Sequence, residues 1–272
     1  SKSPEKESET SSNNKPYTRN IWLELGFGRG ENLLAMAHRH RRDKTFCLVG
    51  AEIHNPGIGI VCTRIQDAWR ENDDSNSRYW TDYTTYAPNV YPNCSSNPSI
   101  VTALNSCATD NRKSNEEKTK VPTDASATPS YSNLRISPGD GVKLLPKIPS
   151  DSLDAILVTF PDPFSKPEEV QWRLLQVQTL SQFYRILRKV TCSDDNFPPR
   201  SGRFYLATDH RGYFTWAHKV MEQINNDMRD EPRFRLVEPC PDRMEWLPAI
   251  STYEQKGWDE GRSTNLACWE VI

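Results

Sequence analysis

Ile21-Trp22-Leu23-Glu24-Leu25-Gly26-Phe27-Gly28-Arg29-Gly30-Glu31-Asn32-Leu33-Leu34-Ala35-Met36-Ala37-His38 is the stretch that decides the fold. Its first five residues read as a strand, residues 26–30 as a glycine turn and residues 31–38 as a helix. Glycine permits a tight turn and lets a ligand approach the backbone closely. Strand, glycine turn and helix in that order form a nucleotide-type loop. Gly26, Gly28 and Gly30 are spaced GxGxG, whereas dinucleotide-binding loops are GxGxxG, with the pyrophosphate seated on the helix end. Glu24 stands two residues before the first glycine, where an anionic ligand would be repelled.

Working outward, residues 45–52 form a second strand ending in Glu52, and a helix runs on to about residue 70. Glu52 lies at the distance past the glycine turn expected of an acceptor for ribose hydroxyls. Residues 134–137 resume as a strand, and Pro138-Gly139-Asp140-Gly141 turns into a helix over 142–145. Asp140 suits either a helix N-cap or a hydrogen bond to a nucleoside base. Residues 153–160 are a buried strand that stops at Pro161-Asp162-Pro163. Proline fixes its own φ and pushes the preceding residue towards extended backbone, so Asp162 is expected on a stiff, extended turn. A plain Pro-Asp-Pro turn would have the same sequence. Then come an amphipathic helix over 171–190, a strand over 203–209 ending in Asp209, a helix over 213–226, and strands over 234–237 and 266–271.

This alternation predicts an α/β fold, a mainly parallel seven-stranded Rossmann-like sheet with helices on both faces. Strand C-termini share one edge of such a sheet, which is where ligands bind. Glu24, Glu52, Asp140, Asp162 and Asp209 therefore gather on that edge. Five carboxylates are a poor host for phosphate. They suit a cation rich in hydroxyl and amine groups, such as S-adenosylmethionine (SAM).

The 272 residues suffice for one sizeable α/β domain. Mean hydropathy is −0.75, as for a core diluted by polar segments. Residues 1–19, which begin with Ser1 as in a processed or excerpted product, are expected as a disordered tail without the apolar core of a signal peptide. Residues 20–272 form the catalytic domain, interrupted by a low-complexity insertion over 71–133. No apolar run is long enough to span a membrane. Net charge is −2, so nucleic-acid binding would need a local basic patch. Seven scattered cysteines with no CxxC pair point to reduced intracellular thiols and exclude a zinc site. His38-Arg39-His40-Arg41-Arg42 closes the first helix, where cations complement the macrodipole.

The chain resembles the bacterial tRNA (guanine-N7)-methyltransferase family. The resemblance rests on the colinear segments Leu23-Glu24-Leu25-Gly26-Phe27-Gly28-Arg29-Gly30, Glu52-Ile53-His54-Asn55-Pro56-Gly57-Ile58-Gly59, Phe160-Pro161-Asp162-Pro163, Ala207-Thr208-Asp209 and Ser251-Thr252-Tyr253-Glu254-Gln255-Lys256-Gly257. It implies a class I SAM-dependent methyltransferase fold, with the cofactor held by Glu24, the three glycines, Glu52, Asp140 and Asp162. It also implies Asp162 as the catalytic acid, no metal, and contacts from Lys166, Asp209, Ser251, Thr252, Tyr253 and Glu254 to a variable-loop guanosine of tRNA, nucleotide 46. The resemblance places the enzyme inside the cell, in cytoplasm or organelle. It is expected to act alone or as a homodimer, without the WD-repeat partner of eukaryotic relatives. The chain departs from the family in its insertion, in Phe164 after Pro-Asp-Pro, in Ser251 for Thr, and in Glu168 and Glu169 where the family carries cations. Loss of those cations raises the alternative of a weak or inactive tRNA-binding relative.

Overall fold

Leu23, Leu48, Leu157 and Leu206 are each wholly enclosed, because their strands have side chains packed on both faces. The computed structural model describes residues 19–71, 131–189, 201–226 and 233–272. Their strands are β1 (Asn20–Leu25), β2 (Phe46–Glu52), β3 (Leu134–Pro138), β4 (Ala155–Thr159), β5 (Arg203–Thr208), β6 (Phe234–Leu236) and β7 (Asn265–Val271). The helices are α1 (Glu31–Arg39), α2 (Asn55–Glu71), α3 (Gly141–Leu144), α4 (Val177–Ile186), α5 (Arg211–Asn226), α6 (Arg243–Trp246) and α7 (Thr252–Asp259).

The sheet has the order β3-β2-β1-β4-β5-β7-β6. The ladders from β3 through β5 are parallel, and β7 is antiparallel to both neighbours. This is the seven-stranded α/β architecture expected. The chain winds outward from β1 to β3 and returns to β4 beside β1. The strand order therefore reverses between β1 and β4, and a crevice opens there at the strand C-termini. One core layer holds Phe183, Phe204, Tyr213 and Trp269. Another, under α1 and α2, holds Phe27, Leu33, Met36 and Phe46.

The expected helix over 171–190 is corrected. Residues Pro167–Trp172 form a 3-10 turn, and α4 begins only after Gln176, whose backbone is extended. The reason is tertiary. The Leu175 N–H donates to the Tyr213 hydroxyl at 3.3 Å, and the Trp216 indole N–H donates to the Leu175 carbonyl at 2.8 Å. Side chains of α5 thus satisfy backbone groups that a helix would otherwise have satisfied. At the other end, Leu187 leaves α4 to bridge Leu153.

Among the described residues Cys62, Cys240 and Cys268 are thiols, in keeping with the expectation of reduced cysteines, and Cys47 departs from it in being disulfide-bonded. The even scatter of cysteines carries no pairing signal, because pairing depends on which residues the fold brings together. Residues 1–18 and most of the expected insertion lie outside the described residues. Its last three residues lie inside, and two of them are packed: Tyr131 is buried, and the Asn133 amide donates to the Ala37 carbonyl at 2.9 Å. Among the described residues no helix is long and apolar enough to cross a membrane, and no group of three or more potential metal ligands occurs.

Phe183 is fully buried, with its ring centroid 5.2 Å from that of Phe204. Phe183→Ala is expected to lower unfolding free energy by about 3–5 kcal/mol, measured by urea denaturation.

Candidate functional site

The glycine turn is built by close approach. Gly26, Gly28 and Gly30 take φ of 71°, 57° and 74°, in the left-handed region that side chains disfavour. A Cβ on Gly30 would lie 2.2 Å from Val61 Cγ2, so α2 packs directly on the turn. A Cβ on Gly57 would lie 2.1 Å from the Gly28 carbonyl oxygen, so the start of α2 also touches the turn's backbone. Glu52 fastens the two pieces together. One of its oxygens accepts the Gly28 N–H at 2.7 Å, and the other accepts the His54 N–H at 2.7 Å.

A small cavity, partly open to solvent, lies under this turn, between the ends of β1 and β4. Its walls come from Glu24, Gly26, Phe27 and Gly28, from Glu31 and Asn32 at the start of α1, and from Thr159 and Phe160 at the end of β4. Leu247, Ser251 and Tyr253 close it from the C-terminal segment. Glu24 is 1% exposed. Its Oε1 accepts the Thr159 hydroxyl at 2.9 Å and the Asn32 amide at 3.4 Å. Its Oε2, like Asn32 Oδ1, has no hydrogen-bond partner among the described residues. Burial pushes the Glu24 carboxyl up to about 7, with the Glu31 and Glu52 charges adding to the rise against the Thr159 and Asn32 hydrogen bonds. A buried carboxyl with one bare oxygen is suited to a cation placed in that cavity.

The C-terminal motif caps this floor. Ser251 is the N-cap of α7, its hydroxyl accepting the Glu254 N–H at 3.1 Å. Thr252 donates its hydroxyl to Glu31 Oε1 at 2.7 Å. Tyr253 is 55% exposed, yet its ring lies so near Gly28 that a Cβ there would sit 3.2 Å from it. Glu254 does something other than face the cavity. It is fully buried and chelates Arg243, Nη1 to Oε1 at 2.5 Å and Nη2 to Oε2 at 2.7 Å, and Oε1 also accepts the Thr264 hydroxyl at 2.6 Å. Its oxygens are occupied in holding α6 to α7.

The remaining expected residues sit around the rim. Asp140 caps α3, accepting the Val142 N–H at 2.9 Å. Asp162 is exposed beyond β4. Its turn is less extended than predicted, since the flanking Phe160 and Phe164 have φ of 50° and 41°. The Phe160 N–H is anchored to the Ala207 carbonyl at 2.7 Å, which overrides the pre-proline preference. Lys166 pairs with Glu169 at 3.3 Å. Asp209 receives Arg262 Nε at 2.8 Å and packs on Gly257, where a Cβ would lie 2.5 Å from Oδ2. Sequence reasoning missed Phe27, Glu31, Asn32, Thr159, Phe160 and Leu247. For Asn32 a signal existed, a polar residue directly before the apolar Leu33-Leu34 pair of α1. Leu247 offered none, because it arrives from far along the chain.

Two outcomes follow. Glu254→Ala would strand Arg243 and is expected to cost roughly 3–5 kcal/mol, visible as a lowered urea midpoint with no ligand added. For Glu24, the unfolded carboxyl ionises near 4.5 and the folded one near 7. As pH rises through that window the unfolded state sheds a proton that the folded state keeps. Stability therefore falls across the window by up to about 3 kcal/mol, and Glu24→Gln should remove that slope in denaturation curves taken from pH 4.5 to 8.

A tRNA (guanine-N(7)-)-methyltransferase of Rhodospirillum rubrum is 23% identical over 245 residues, 89% of this chain and 64% of the relative. That of Corynebacterium glutamicum is 28% identical over 145 residues, 52% of this chain and 49% of the relative. The chain thus spans about half to two thirds of the length of these curated relatives. Solved structures overlap more loosely: an antibiotic related methyltransferase aligns over 93% of this chain and 88% of its own, at 12% identity and a TM-score of 0.42. A family model described as "Putative methyltransferase" matches residues 105–266, more than half of the chain, and the chain belongs to that family.

Proposed function

We propose that the chain is a SAM-dependent tRNA (guanine-N7)-methyltransferase acting on a variable-loop guanosine, nucleotide 46. The observation that carries this reading is the buried Glu24 carboxyl, which lines the cavity under the glycine turn and keeps one oxygen without a hydrogen-bond partner among the described residues. Such a group has no purpose opposite a phosphate and every purpose opposite a cation. The family membership and the printed names of the relatives supply the rest of the support.

The residues present fit SAM. Glu24 would face its cationic end, with Asn32 Oδ1 as a second free acceptor. Glu52 would take the ribose hydroxyls on lone pairs left over from its two backbone donors. Asp140 would meet the adenine, flanked by Ile53 and Val142, which stand exposed just past β2 and β3. When bound, SAM supplies a methyl group already activated on a sulfonium.

The protein's own part is positioning and electrostatic support. Guanine N7 carries a lone pair, so no base has to generate the nucleophile. N7-methylation leaves the purine cationic, and the Asp162 carboxylate beyond β4 offers it a fixed counter-charge. With both oxygens of Glu254 engaged by Arg243, the N–H edge of the guanine falls to Asp209, through the oxygen that Arg262 leaves open. Tyr253, exposed above Gly28, stands where an incoming base would meet the cofactor, beside Ser251 and Thr252. Lys166 would reach a phosphate or the guanine O6 after leaving Glu169. A tRNA substrate sets the reaction in the cytoplasm or an organelle, and the chain acts as a monomer or homodimer.

A second reading keeps the tRNA and drops the chemistry, and the Lys166–Glu169 pair favours it by removing a cation from the rim. A tRNA gel shift without transfer of tritiated methyl would select it.

Chemical cleavage at N7-methylguanosine in tRNA, from cells with and without the protein, tests the first reading. Asp162→Asn should lower turnover at saturating SAM and tRNA by roughly 100-fold, and wild-type turnover in that variant would reassign Asp162. SAM affinity should also tighten from pH 5.5 to 7 as Glu24 ionises, releasing a proton on binding. Titration calorimetry in buffers of different ionisation enthalpy reads that proton, and Glu24→Gln should abolish it.

A further inference from the structure

Arg173 ends the segment where the family resemblance leads one to expect phosphate-binding cations, and its guanidinium is turned inward. Its Nε donates to the Pro163 carbonyl at 2.8 Å and its Nη2 to the Phe164 carbonyl at 3.2 Å. These are the two carbonyls that directly follow Asp162. Phe164 holds φ at 41°, a left-handed conformation disfavoured for a residue with a Cβ, so the turn needs an external hold. The planar guanidinium fork can reach both carbonyls at once, which an ammonium cannot do in the same geometry.

The hold is itself braced. The guanidinium carbon lies 5.1 Å from the centroid of the Trp216 ring and 5.8 Å from that of Tyr213, both on α5. The same two side chains fix the backbone of Leu175, just beyond. At the head of α5, His210 Nδ1 accepts the Tyr213 N–H at 3.0 Å. In the neutral ring that leaves the proton on Nε2, which donates to Ser165 Oγ at 3.2 Å. The Asp162 turn is thus gripped on one side by Arg173 and on the other by His210, and both grips are anchored in the first turns of one helix.

We propose that Arg173 is the positioning residue that fixes the Asp162 turn, and that its charge is turned away from tRNA phosphates for that purpose. This rests on the role of Asp162 proposed above.

The test compares Arg173→Ala, Arg173→Lys, Asp162→Asn and the Asp162→Asn/Arg173→Ala double variant. Arg173→Gln, which keeps much of the stem against Trp216, replaces the alanine variant if that one fails to fold. Arg173→Ala should lower kcat at least tenfold, with KM for tRNA and Kd for SAM within threefold of wild type. Arg173→Lys should not restore it. The double variant should be no more than threefold slower than Asp162→Asn alone, because Arg173 acts through Asp162. Multiplicative losses, or a raised KM for tRNA at unchanged kcat, would overturn the proposal in favour of general scaffolding or a phosphate contact. A readout independent of methyl transfer is the amide NMR spectrum. Because Arg173 bonds the carbonyls of Pro163 and Phe164, in Arg173→Ala the amide resonances of residues 164–166 should shift and broaden, with those of β1 and β2 unchanged. If wild-type protein methylates no tRNA while the spectrum responds in this way, the activity reading fails and the positioning role stands. Unchanged resonances at 164–166 sink the positioning role whatever the activity.

Discussion

Everything at the ligand edge depends on how closely two backbones approach each other. The first residues of α2 lie on the Gly28 carbonyl with room for no Cβ at Gly57, and the Glu52 carboxylate bonds one N–H from each side of the contact. That contact sets the height of the glycine turn above the ends of β1 and β4, and so the depth of the cavity. A looser turn would admit water to Glu24 and return its carboxyl towards the ordinary range. The raised pKa is thus a measure of how well the turn is seated. The cost of keeping that carboxyl out of water is an electrostatic strain that a cationic ligand relieves.

The elements near this contact were legible in the sequence because they are local. GxGxG after an apolar pentapeptide, an acid at each strand end and helix-period runs between them are patterns within a few residues of one another. They carried the sheet and the acidic edge; the strand order, and with it the switch point, came only with the fold. The rest of the site is made by residues that meet only in the fold. Thr252 reaches Glu31 across 221 positions and Arg243 meets Glu254 across 11; nothing in the spacing of either pair announces the contact. Glu254 shows the consequence: as a motif residue it reads as a substrate contact, and in space it holds a guanidinium in the core. The helix expected over 171–190 misled for a related reason. Its apolar period is real, but α5 supplies Tyr213 and Trp216 to the backbone around Leu175, and tertiary hydrogen bonds prevail over a local preference.

The departures from the family pattern now have structural addresses. Glu169 neutralises Lys166, and Phe164 packs edge-on against Trp172 with their centroids 6.0 Å apart. Trp172 is 60% exposed. Where a basic run would present positive charge, this chain presents a ring and an ion pair, so in the proposed tRNA complex recognition beyond Asp162 would rely less on charge and more on contact area. Association would then depend less on ionic strength than a run of lysines and arginines would make it.

β7 is the reversed strand, and its direction governs the order in which the site is made. Because Asn265 pairs with Thr208 at the ligand edge, the chain delivers α7 to that edge immediately before re-entering the sheet. The cap over the glycine turn and the strand that secures it are therefore consecutive in synthesis, and both come after β1 to β5. Ser251 and Tyr253 cross the cavity mouth on the segment that leads straight into β7, so the wall that closes over Glu24 is held in place by the antiparallel pairing of β7 with β5, and a change that loosens that ladder acts on the cavity from the far end of the chain.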